Sequence, residues 1–366
     1  MKNRTKFLWT CAGLAAAGFV LAMVGVLMGG RFYGVGADLK GLHVYAPALE
    51  EKNGATGSGG MQQNQELLEA FDSMQIQAEY ADIRVARTDG DAYSLSYNLP
   101  GQSELLKEVR DGKLFLTMRL KGSLGSNQIR WFWFDFSSDN STDASVSGDA
   151  SITVLVPKNA KLSEVSFSTE SGDITCEGIQ ADSLKTEASY GDIDLQKIQA
   201  QEMEMKLESG RLQMEQVEGE RCRVVNEYGN ASFDRLVLSK DLQIDMESGD
   251  VRFRDTVMHG LELKNAYGDI DGEQTVFGDM QMSVESGNCR FHDLTFDSCS
   301  ILEEYGDVEL QLDRDVADLG YELRTEYGEI KINGEPMGET FVTLDKDKNP
   351  FLKIICESGN IAIQSK

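Results

Sequence analysis

ESGDITC at residues 170–176 returns as SYGDIDL at 189–195, as ESGRLQM at 208–214 and, with further variation, down to ESGNIAI at 357–363. The signature glycines are Gly172, Gly191, Gly210, Gly229, Gly249, Gly268, Gly287, Gly306, Gly328 and Gly359. Successive ones stand 19, 19, 19, 20, 19, 19, 19, 22 and 31 residues apart. A fixed period of about 20 marks a stacked repeat architecture.

Aligned on the glycine, each column describes one environment. Two residues after it stand Ile174, Ile193, Leu212, Ala231, Val251, Ile270, Cys289, Val308, Ile330 and Ile361, all apolar. Four after it the column is again apolar, from Cys176 and Leu195 to Ile332 and Ile363, broken at Gly272. Seven and five before it come pairs such as Val165/Phe167, Leu242/Ile244 and Leu352/Ile354. A spacing of two with polar residues between is the alternation of a strand with one buried face. Each repeat therefore holds one strand entering and one leaving a glycine turn. One repeat cannot bury its apolar side alone, but stacked repeats join these columns into a continuous core. The expected fold is an all-β parallel β-helix, a β-solenoid of about ten 19-residue coils over residues 161–366, with coils roughly 4.8 Å apart. The glycine is read as the residue that permits a tight turn or a positive φ.

The residue before the glycine alternates Ser171, Tyr190, Ser209, Tyr228, Ser248, Tyr267, Ser286, Tyr305, until Tyr327 and Ser358 end the pattern. Two readings fit. Either small serines make room for tyrosine rings on alternate coils, or each coil holds two signatures and the tyrosines stack in their own column.

Ahead of the repeats, residues 71–160 carry longer strand-like runs and suit an N-terminal β cap over the open end of the stack. The segment 71–85 resembles a first coil in which Ala81 replaces the glycine, and the insertion at 333–350 suits a shield for the other end. Residues 29–70, rich in Gly, Ser and Gln, read as a flexible spacer. Residues 1–6 form a basic head, and residues 7–28 run without a charge, long enough for one transmembrane anchor. A cleaved signal peptide is the alternative, but its apolar region is shorter, about 7–15 residues. Lys2, Arg4 and Lys6 keep the head cytoplasmic, which places the C-terminal bulk outside a single-pass cell membrane anchor.

With 61 acidic and 35 basic residues the formal charge is −26. Such a surface repels nucleic acid, which is bound by neutralising phosphates with Lys and Arg. Five cysteines follow the anchor, at 176, 222, 289, 299 and 356, in columns otherwise filled by apolar residues. Small buried hydrophobes are the expected role, with Cys289 and Cys299 as the one pair placed to meet.

Carboxylates form the pronounced polar pattern. Glutamates stand two before most of the glycines, and Asp173, Asp192, Asp250, Asp269 and Asp307 stand one after. Stacked like charges must be splayed into water or bridged, and calcium favours oxygen-rich turns, so this row is a candidate cation ladder. Its other use is solubility and protection of sheet edges. No other cofactor is implied. Trp131 and Trp133, within WFWFDF at residues 131–136, are candidates for a binding surface, as are Tyr190, Tyr228, Tyr267 and Tyr305; the alternative for the tryptophans is a strand buried on both faces. Glycosidases and lyases also use carboxylates, but a catalytic pair needs one special environment and these groups repeat uniformly. With three histidines and no nucleophile or phosphate-loop spacing, the chain is not expected to be an enzyme.

FDSMQIQAEYADIRV at residues 71–85, ITVLVP at 152–157, LSEVSFSTESGDITCEG at 162–178 and the serial SGD or YGD turns resemble the bacterial putative-adhesin family termed domain of unknown function 4097. The resemblance covers residues 71–366 and implies a β-solenoid with an envelope or adhesive role and no catalytic residues to transfer. The tyrosine alternation and the WFWFDF strand depart from it. The expected function is a non-catalytic surface scaffold or adhesin-like module that meets cell-wall or host glycan or protein. The alternative is an accessory of a cell-envelope stress response, and a polysaccharide-acting enzyme ranks last.

Overall fold

Ile174 lies opposite Ile193, Ile193 opposite Leu212, Leu212 opposite Ala231 and Ala231 opposite Val251 in parallel ladders whose register is the sequence repeat itself. One coil thus holds one signature, which settles the choice between 19 and 38 residues. The structure is a computed structural model and describes residues 34–38, 41–45, 61–120, 150–338, 340–345 and 348–366. It divides into two units, residues 1–57 with 124–146, and residues 58–123 with 147–366. In the first, the backbone of Gly34–Asp38 pairs antiparallel with Gly41–Tyr45. The second holds the repeats, and apart from a 3-10 turn at Val316–Asp318 its regular structure among the described residues is strand. The fold is all-β and solenoid-like.

The columns read from the sequence are the core. Ile174, Ile193 and Leu212 are fully buried, as are Ile76, Val165, Phe167, Leu242 and Ile354 in the columns ahead of the glycine. Cys176, Cys222, Cys289, Cys299 and Cys356 are buried free thiols, so Cys289 and Cys299 are not joined. The break at Gly272 is a packing device: a Cβ there would stand 2.1 Å from the ring of Phe291, which meets Phe277 edge-on at 6.3 Å.

A third pair of apolar columns went unread in the sequence, seven and nine residues after the glycine, including Ile198/Ala200, Val217/Gly219 and Leu236/Leu238. The chain enters it through a second corner where Lys197, Gln216, Arg235, Asp255, Gln274 and Asp293 take left-handed φ of 50–55°. Gly178 takes the same corner in the first repeat, at φ 71°, but no consistent glycine or Asn marks it in the others, which hid it from a reading based on turn residues.

At both ends the coils do not stack in sequence order. Cys289–Tyr305 pairs with Phe351–Ser358, which in turn pairs with Gly320–Tyr327. Val308–Leu312 likewise pairs with Ile361–Ser365, which pairs with Ile330–Ile332. The last coil in sequence is therefore inserted as the last but one in space. The N-terminal end mirrors it. Ser73–Ala78 lies between Lys113–Leu120 and Leu162–Ser171, and Asp82–Thr88 lies between Ser151–Pro157 and Ile174–Glu177. Residues 71–88 are a coil with Ala81 in the glycine place, as the sequence suggested, but an interior one and not part of a cap.

The outermost coils are covered by antiparallel strands. Phe341–Leu344 pairs with Gly320–Tyr327 and Glu335–Pro336 with Ile330–Ile332, so the 333–350 insertion shields an edge as expected. At the other end Ser103–Arg110 pairs with Lys113–Leu120, and Ser94–Pro100 pairs with both Ser151–Pro157 and Met61–Leu67. Antiparallel cover stops further parallel strands from adding to an open edge. Met61–Leu67 also corrects the spacer, whose last residues are strand and not loose chain. The basic head, the anchor at 7–28 and the 131–136 strand lie outside the described residues; among those described, no helix is long and apolar enough to cross a membrane.

Candidate binding ridge

The glycine corners stack into one ridge, and their spacing is set by backbone contact. A Cβ on Gly210, Gly229, Gly249, Gly268 or Gly287 would stand 2.0–2.1 Å from the carbonyl oxygen of the glycine in the preceding coil. Close approach and positive φ both demand glycine here; the sequence pointed to the turn or the positive φ, and the backbone contact is added by the stacking.

The corner interrupts the main-chain ladder, and the residue after the glycine repairs it. Oδ1 of Asp173 accepts from the backbone N–H of Asp192 (2.9 Å), Asp192 from Arg211 (2.8 Å), Asp250 from Asp269 (3.1 Å), Asp269 from Asn288 (2.8 Å) and Asp307 from Asn360 (2.7 Å). Asn230, Asn288 and Asn360 continue the chain through their side-chain oxygens, which is why Asp and Asn interchange in this column. The five aspartates read as a cation ladder are thus engaged with backbone donors. Among the described residues no group of three or more His, Cys, Asp or Glu side chains is placed to hold a metal. At Asp269 burial works to raise the carboxyl, but the Asn288 N–H and the Arg290 guanidinium at 2.6 Å outweigh it and hold the group below the usual carboxylate range.

Beneath the ridge, three residues before the glycine, side chains donate to the glycine carbonyls. Asn226 Nδ2 reaches Gly210 O (3.2 Å) and Gly229 O (2.9 Å), Asn265 Nδ2 reaches Gly249 O (3.0 Å) and Gly268 O (3.3 Å), and Thr325 Oγ1 reaches Gly359 O (2.8 Å). Glu303 occupies this column, opposite Cys356, and is 2 % exposed. Its Oε2 accepts from Cys289 Sγ at 3.5 Å, while Oε1 has no partner.

Burial pushes the Glu303 carboxyl up to about 7, with Glu304 and Asp269 adding to the rise. Its proton is thus held more tightly in the folded chain, so stability from this group is full below about pH 4.5, declines as pH rises to about 7 and stays lost above. Glu303→Gln, which keeps a donor in the Asn226 manner, is expected to gain up to roughly 3 kcal/mol at pH 8 and nothing at pH 4. Urea midpoints of both chains at the two pH values check this, and equal gains would show that Glu303 does not titrate in this range.

On the outside of the ridge, parallel pairing sets Ser171 opposite Tyr190, Tyr190 opposite Ser209, Ser209 opposite Tyr228, Tyr228 opposite Ser248, Ser248 opposite Tyr267, Tyr267 opposite Ser286 and Ser286 opposite Tyr305. Tyr305 then faces Ser358, and Ser358 faces Tyr327. The alternation that stops in sequence order therefore continues unbroken in space. It extends at the other end to Tyr80, since Ser171 N–H donates to Glu79 O as the ladder requires. Tyr190, Tyr228, Tyr267, Tyr305 and Tyr327 are 56–73 % exposed and Tyr80 41 %. Four of these tyrosines were expected to share a surface; Tyr80 and Tyr327 join them, and EYAD at residues 79–82 was the signal for the first. Trp131 and Trp133 lie outside the described residues.

A parallel, solenoid-like all-β repeat with a regular tyrosine and carboxylate ridge defines the class of protein. A family model, Toastrack DUF4097, matches residues 71–240 and 220–364, and the chain belongs to that family. No curated protein matches the sequence. Among solved structures, a putative cell adhesion protein from Clostridium sporogenes is 10 % identical, with 84 % of this chain and 100 % of that one covered, at a TM-score of 0.25. A putative adhesin from Bacteroides fragilis is 11 % identical over 86 % and 100 % of the two chains, at 0.26. A putative adhesin from Parabacteroides distasonis is 9 % identical over 84 % and 98 %, at 0.34.

Proposed function

We propose that this chain is a non-catalytic, adhesin-like surface module of the cell envelope. It is carried outside a membrane by the segment at residues 7–28 and turns its ridge toward cell-wall or host polymer. The observation that supports this most is the ridge itself, on which exposed tyrosines recur at every second coil over the whole ladder from Tyr80 to Tyr327. Exposed aromatic rings cost solubility, and their regular repetition is what multivalent attachment to a repetitive partner uses. Membership of the Toastrack DUF4097 family and the adhesin names carried by structures it resembles are in keeping with the reading.

The test is attachment. Full-length chain immobilised on beads should hold isolated cell envelopes or host-glycoprotein surfaces. Replacing Tyr190, Tyr228, Tyr267 and Tyr305 together by Ser should abolish this with the melting temperature unchanged. Attachment to neither surface, or attachment that ignores the four changes, would defeat the proposal.

A further inference from the structure

The ridge has a chemistry and a period, and both narrow the partner. Tyrosines on every second coil stand two strand spacings apart, about 9.6 Å. An extended β-1,4-linked polysaccharide turns the same face of every second ring to one side, so equivalent faces recur once per disaccharide, a length close to that spacing. Tyrosine rings offer apolar faces with a polar tip and suit the C–H face of a pyranose, which interacts with an aromatic ring as other apolar groups do. The intervening Ser209, Ser248, Ser286 and Ser358 are small and leave room for the ring of opposite facing.

Charge selects further. Away from the ridge several acidic side chains are matched with bases: Glu204 lies between Lys185 (3.5 Å) and Lys206 (3.3 Å), Glu202 meets Arg221 (3.0 Å), Glu177 meets Lys197 (2.8 Å), and Glu220 meets Lys240. On the ridge Glu227, Glu247, Glu285 and Glu357, two residues before the glycine, have no basic partner among the described residues, while Glu326 in the same column meets Arg324 (3.2 Å). An unmatched acidic row alongside exposed rings complements a cationic ligand, since ammonium groups are attracted both to carboxylates and to aromatic faces.

We propose that the ridge binds an extended β-1,4-linked glycan whose sugars carry free amino groups. This rests on the surface-module reading and names its ligand. Each tyrosine stacks on every second ring, and the glutamate row takes the ammonium groups. Single contacts are weak, and affinity comes from their number along the ladder. Neutral and fully N-acetylated chains keep the stacking but forgo the charge.

Titration of the full-length chain at low salt with a β-1,4-glucosamine decamer, its N-acetylated counterpart and polylysine tests the assignment. The glucosamine decamer is expected to bind at least about tenfold tighter than the acetylated one, and Tyr228→Ser with Tyr267→Ser to weaken it by about tenfold. The decisive variant is Tyr228→Ser with Ser248→Tyr, which keeps composition and charge but moves one ring by one coil; it should lose at least as much as Tyr228→Ser alone. The variants' melting temperatures must match the parent, as exposure of both tyrosines leads one to expect. Binding unchanged in the shifted variant, equal binding of the acetylated decamer, or polylysine binding as tight as the glucosamine decamer would overturn the assignment. The last would make the ridge a charge surface for basic peptides. If envelopes still attach through the four tyrosines while the glucosamine decamer does not, the ligand is wrong and the surface-module reading stands. If both fail, that reading falls.

Discussion

Gly229→Ala should lower the unfolding free energy by roughly 3–5 kcal/mol, while Gly90→Ala should leave it within about 0.5 kcal/mol. At Gly229 a methyl group would stand 2.0 Å from the Gly210 carbonyl oxygen, at a φ of +140° that L side chains resist. That oxygen is backbone of the neighbouring coil, so no rotamer change relieves the clash and the coils themselves must part. Parting opens the Leu212 and Ala231 contact directly behind the corner. At Gly90 the nearest atom is a side-chain oxygen at 3.6 Å. Urea midpoints with unchanged slopes measure both effects. Equal midpoints would mean that coil spacing is not set at the glycine, and Gly229→Val should be worse still.

Deletion of residues 351–366 is expected to cost about 6 kcal/mol or more, since Leu352, Ile354, Ile361 and Ile363 are each fully buried. The larger consequence is topological. These residues separate the coil of Val308 and Leu310 from that of Leu323 and Ile330, so removing the last segment of the chain breaks the stack one coil from its end. Chain termini ordinarily fray. Here the amides of Ile354, Cys356 and Ile361 should exchange with solvent as slowly as that of Ile270 in mid-stack. Fast exchange at Ile354 and Ile361 in the intact chain would show a loosely docked end and contradict the inserted position.

The core was legible because burial in a parallel stack is periodic. Columns at two and four residues after the glycine and five and seven before it needed only the alternation of apolar and polar residues, and Ile174, Ile193 and Leu212 are buried accordingly. The third side of each coil was missed because its corner is turned by residues such as Lys197, Gln216 and Gln274 in left-handed conformation, which their identities do not advertise. The ridge was half legible. Its tyrosines stood out, whereas the bonds made by the aspartates did not, because a side chain accepting a hydrogen bond from the next coil's N–H is a relation between residues 19 apart that exists only once the coils are stacked.

The order of the end coils shows where local information stops. Tyr305, Tyr327 and Ser358 break the serine and tyrosine alternation along the chain and restore it along the stack, so the exchange was written in the sequence. It was not readable there, because either order buries the same apolar columns. Period, strand alternation and the demand for glycine follow from the sequence by itself, since each is local and repeats. Which coil lies against which was decided by tertiary structure: pairing the edge strands with Phe341–Leu344 and Ser103–Arg110 covers the outer coils, while the first and last segments of the stack gain a neighbour on both sides.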